Sequence, residues 1–86
     1  MKDILKTTLK YQNLADLSDY LLRRMYYDEV IIWFSQDDYD DFINDIDTLQ
    51  NIYVGKFRPI KVDPNDDETI CQWVFNGSLK IKINIK

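Results

Sequence analysis

Residues 28–50 hold eight carboxylates and no base: Asp28, Glu29, Asp37, Asp38, Asp40, Asp41, Asp45 and Asp47. Asp37, Asp41 and Asp45 recur every four residues, so on a helix they share one face. Like charges at that spacing repel by a few tenths of a kcal/mol per pair, roughly. Carboxylates set about 6 Å apart along a helix resemble the phosphates of a nucleic-acid strand and suit a cationic groove. Aspartate keeps each charge close to the backbone. The chemistry this implies is docking on a basic protein surface, such as that of a nucleic-acid-binding protein or a nuclease. The plainer alternative is a solvated helix face that aids solubility.

Catalysis has less material. The chain has no histidine, which excludes a His-based triad and a His general base. Paired carboxylates alone can cleave glycosides or phosphoesters, but no acid here stands isolated in an apolar segment. Cys71 lies mid-strand without a histidine partner, which favours packing over nucleophilic attack. Asp63, Asn65 and Asp67 match positions 1, 3 and 5 of a calcium loop. The match then fails, with Glu68 where glycine is needed and Val74 where the bidentate Glu belongs. The expectation is a non-enzymatic protein with no catalytic residue, no metal site and no cofactor.

Several elements must position the acids. Leu5, Leu9 and Tyr11 read at helical or strand spacing, and Thr7 and Thr8 weaken the helix. Asn13 with Asp16 three residues on is an N-cap signal. Leu14, Leu17, Leu21, Leu22 and Met25 then predict a helix from about 14 to 27, with extension back to residue 3 as an alternative. Arg23 and Arg24 fall in its last turn, where cations suit the dipole. Glu29 to Phe34 is short, β-branched and apolar on both faces, as a central strand is. Ser35 caps a second helix with Asp38 answering it, and Tyr39, Phe42, Ile43, Ile46 and Leu49 form its stripe.

Residues 51–62 read as a strand or strand pair, with Gly55 as a bulge signal and Pro59 marking an edge. Residues 63–68 form a polar turn. Asn76-Gly77 between two β-rich runs predicts a hairpin of Thr69–Phe75 with Ser78–Ile85. Its register decides which face Trp73 joins. A two-residue turn pairs Val74 with Leu79 and puts Trp73 on the Lys80 face. A bulged three-residue loop is expected to pair Trp73 with Leu79 and Cys71 with Ile81, with Trp73 and Phe75 in the core.

Together these predict one α+β domain over residues 1–86. It has a mainly antiparallel sheet, a C-terminal β-hairpin and two helices packed on one face. Tyr26, Tyr27, Trp33, Tyr53, Phe57 and Trp73 are many aromatics for 86 residues, and most belong to the core. If the helices cover only one face, Ile31, Trp33 and, in one register, Trp73 offer an apolar surface for a sheet-to-sheet homodimer.

The net charge of −4 conceals a division. Residues 1–27 carry +2, residues 28–79 carry −9 and residues 80–86 carry +3. Excess acid argues against direct binding of nucleic acid. The apolar run Val30–Phe34 is too short for a membrane span, and no leader pattern opens the chain, so an intracellular, cytoplasmic setting is expected. One cysteine fits a reducing compartment. In size and charge the chain resembles the small acidic inhibitors that viruses use against host nucleases. That resemblance implies a non-catalytic role and transfers no residue.

Overall fold

A computed structural model describes residues 2–49 and 56–86. Tyr53 and the bulge expected at Gly55 lie outside the described residues. Seven elements follow one another: β1 (Ile4–Thr8), α1 (Leu14–Leu22), β2 (Glu29–Phe34), α2 (Gln36–Leu49), β3 (Phe57–Ile60), β4 (Cys71–Phe75) and β5 (Leu79–Ile85). The strands make one sheet in the order β1-β2-β5-β4-β3. Both helices pack on one face of it, and the fold is α+β. The sheet is mixed rather than mainly antiparallel. β2 runs parallel to β1 and to β5, while β4 is antiparallel to β5 and to β3. The causes are two: α1 carries the chain back so that β2 runs parallel to β1, and β5 inserts between β2 and β4 instead of ending at an edge.

The ambiguous first segment is a strand. Ile4 to Thr8 registers with Glu29 to Trp33, and Leu9 N–H extends the ladder to Trp33 O at 3.1 Å. β-Branched Ile4, Thr7 and Thr8 suit that pleat. Asn13 caps α1 as expected, its Oδ1 accepting from Asp16 N–H at 2.8 Å. The helix ends at Leu22, earlier than its apolar spacing suggests. Arg23 N–H bonds Asp19 O, and tighter turns follow from Arg24 N–H to Leu21 O and Tyr27 N–H to Arg24 O. Arg24 folds back over the Tyr20 ring at 3.6 Å and donates to Tyr20 O at 2.9 Å. A cation thus satisfies a carbonyl that the ended helix leaves open.

β2 is the central strand its two-sided apolar pattern implies. Val30, Ile32 and Phe34 face the helices and are fully buried. Ser35 Oγ accepts from Asp38 N–H at 3.2 Å and starts α2. Phe42 on α2 is the hub of the core. Its ring centroid lies 5.7 Å from Phe34, 5.8 Å from Tyr11, 6.3 Å from Phe57 and 6.2 Å from Trp73. β3 carries Pro59 at a sheet edge, where a missing N–H costs least.

The hairpin takes the bulged three-residue loop and turns Trp73 and Phe75 to the core as that alternative implies, but its pairs are offset from those expected. Phe75 pairs with Leu79, Trp73 with Ile81 and Cys71 with Ile83. Asn76 and Gly77 both have positive φ, 51° and 81°, and Ser78 N–H closes the turn on Phe75 O at 3.3 Å. Ser78 is then one extra residue before Leu79, a bulge that shifts the pairing by one. Trp73 consequently joins the helix-covered face.

Candidate functional site

The eight acids are not one surface. β2 places Glu29 on the sheet face away from the helices, 7% exposed, with Lys82 Nζ 3.5 Å from its Oε1. Asp28 ends the adjoining loop, where its Oδ2 accepts from Asp3 N–H at 2.9 Å. Both therefore stand apart from α2 rather than flanking its acidic face. On α2 itself, Asp38 and Asp45 turn inward to Tyr11. Asp38 Oδ2 accepts from Tyr11 N–H at 3.1 Å, and Asp45 Oδ2 accepts from the Tyr11 hydroxyl. These two carboxylates tie the β1–α1 connection to the second helix.

Asp37, Asp40, Asp41 and Asp47 remain exposed. With Asn44 between them they occupy positions i, i+3, i+4, i+7 and i+10 of one helix face, about 15 Å long at 1.5 Å per residue. The stripe of Phe42 and Ile46 fixes that face outward by burying the opposite one. Asp40 Oδ1 accepts from Gln36 Nε2 at 3.0 Å. Among the described residues no base pairs with any of the four; the ion pairs present join Arg23 to Asp19, and Lys82 to Glu29 and Asp66. The arrangement is a row of fixed negative charge without internal compensation.

The other sheet face is partly covered by the loop between β3 and β4. Asp66 holds it there. Its carboxylate accepts from the Thr69 hydroxyl at 2.7 Å, from the N–H groups of Thr69 and Glu68 at 3.1 Å each, and meets Lys82 at 3.3 Å. The Thr69 hydroxyl and backbone bonds stabilise the charged form, and its pKa falls to about 2. Burial pulls Lys82 down, but the negative charges of Glu29 and Asp66 outweigh it and its pKa is raised. Sequence reading missed this clasp, although the alternation of Lys80 and Lys82 with buried isoleucines marks their face.

Ile31 and Trp33 lie on that same outer face and are partly exposed, with Ile4 of β1, 42% exposed, in line beside them. Trp73 does not join them. It packs edge-on to Phe42, and its Nε1–H donates to Cys71 Sγ at 3.4 Å. Burial raises the Cys71 thiol pKa, which keeps the nucleophilic thiolate scarce. Among the described residues no three His, Cys, Asp or Glu side chains are grouped to hold a metal ion, and no helix is long and apolar enough to cross a membrane. No family model matches the chain, nor does any curated protein or solved structure.

Proposed function

We propose that this is a non-catalytic interaction protein whose exposed α2 face occupies a basic surface of a partner. The observation that carries the reading is the row Asp37, Asp40, Asp41 and Asp47, exposed on one face and unpaired by any described base. Such a row opposes helix stability by a few tenths of a kcal/mol per pair, roughly, which docking on a cationic partner would reverse. A surface built for phosphates is complementary to it, so the partner is a nucleic-acid-binding protein, and a host-defence or restriction nuclease is the first to test. An inhibitor of this kind acts inside the cell.

The test is capture from a cell lysate by the wild-type protein and by a variant with all four residues changed to Asn. The expected result is a nucleic-acid-binding protein held at low salt, released at high salt, displaced by duplex DNA and lost with the variant. Equal capture of the same proteins by the variant, or binding indifferent to salt, overturns the proposal.

A second reading rests on Ile4, Ile31 and Trp33, which line the uncovered part of the sheet. It is a homodimer packed face to face, with the acidic helices outermost. Sedimentation would then show a dimer that Trp33→Asp dissociates. A monomer at all accessible concentrations removes this reading.

A further inference from the structure

The face opposite the acidic helix contains a groove that the docking proposal does not use. The β3–β4 loop forms one wall and the sheet forms the floor of this shallow, open groove of ≈ 390 Å³. Ile60, Val62 and Pro64 supply an apolar side, and Lys61, Gln72 and Lys80 supply the polar one.

Gln72 is the telling residue. It is only 7% exposed, and its side-chain amide bonds no described residue. Buried amides are hydrogen-bonded as a rule, so this one takes its partner from whatever fills the groove, solvent or ligand. Its amide atoms are not sealed off, since the Ser18 hydroxyl alone among the described buried side-chain groups lacks both solvent and partner.

The charges around it are unequally engaged. Lys82, also in the groove, is held by Glu29 and Asp66 and has little to offer a ligand. Lys61 and Lys80 form no ion pair with described residues. Asp63 is the acid that faces the groove, and its Oδ1 is already taken by Asn65 N–H at 2.9 Å. Two ammonium groups without an ion pair and the Gln72 amide therefore line the groove, where Asp63 is the one carboxylate among the lining residues and Glu29 and Asp66 are held by Lys82. Donors in excess beside an apolar wall complement an oxyanion with an apolar body.

We propose that this groove binds a small organic oxyanion, a carboxylate or a phosphate monoester. The headgroup sits among Lys61, Lys80 and the Gln72 amide, and the apolar body lies against Val62 and Pro64. The site is independent of the acidic face, because α2 packs on the other side of the sheet.

The experiment follows the Gln72 side-chain NH₂ signals by ¹H–¹⁵N NMR while inorganic phosphate or hexanoate is added. At least one probe is expected to give saturable shifts at Gln72, weakened about tenfold or more in Lys80→Met. Saturation by phosphate marks a phosphorylated ligand, and saturation by hexanoate marks a carboxylate with an apolar tail. Lys61→Met, on the exposed loop, repeats the test should Lys80→Met fail to fold. Shifts that rise linearly and are matched by sodium chloride overturn the proposal. So does saturation unchanged in both lysine variants.

Discussion

Tyr11 joins three parts of the molecule through one side chain and one backbone N–H. Its ring stands edge-on to Phe34 and Phe42, its hydroxyl donates to Asp45, and its N–H donates to Asp38. Tyr11→Phe keeps the ring packing and removes the bond to Asp45. The expected loss is about 1–2 kcal/mol, because the acceptor is charged and partly buried. Urea unfolding measures it. Asp66 makes a separate pH prediction. Its folded pKa of about 2 lies below its ordinary 3.8, so the stability it contributes is complete above 3.8. That contribution is lost as pH falls from 3.8 toward about 2. Lys82 has the opposite sign: its raised pKa makes a contribution complete below 10.5 and lost as pH rises beyond that. Asp66→Asn should thus lose less stability than the wild type between about pH 6 and about pH 2.5, as urea midpoints at the two values would show.

The hairpin shows how an element constrains its neighbours. Gly77 has φ 81° and open space where a Cβ would stand, so Gly77→Ala meets no clash and bears only the backbone strain. The expected cost is about 1 kcal/mol, read from thermal or urea unfolding. Asn76-Gly77 was legible as a turn in the sequence. The extra Ser78 was one of two open alternatives, because a bulge is decided by which register gives the better core, and that depends on Phe42 reaching Trp73 from α2. Helix α2 was legible from Ser35 to Leu49 because cap and stripe agree. Its acids looked alike in the sequence. Only their angle around the helix and the position of Tyr11 separate Asp38 and Asp45, which hold the fold, from the four that face outward. Changing those four to Asn should leave stability unchanged or raise it by a few tenths of a kcal/mol per relieved pair, roughly. Asp45→Asn by contrast should weaken the bond to Tyr11 and lower stability.

At the scale of the whole molecule the charge division becomes a division of faces. One side of the sheet carries α2 and its uncompensated aspartates. The other carries Lys80, Lys82 and the clasp with Glu29 and Asp66. The sequence counts located the negative segment, but they grouped Asp28 and Glu29 with the helix because all lie near one another along the chain. A strand separates them, since alternate residues of β2 point to opposite faces. The parallel placement of β5 was equally hidden. Nothing in a lysine–isoleucine alternation states which strand lies on its second side. The outward α2 face is proposed to bind a basic partner electrostatically. The most direct test is the slope of log affinity against log salt for a captured partner, measured with the wild type and with the four-Asn variant. Electrostatic docking through α2 gives a steep loss of affinity with salt for the wild type, and weak, nearly salt-independent binding for the variant. Equal affinities and equal slopes for the two proteins would contradict it.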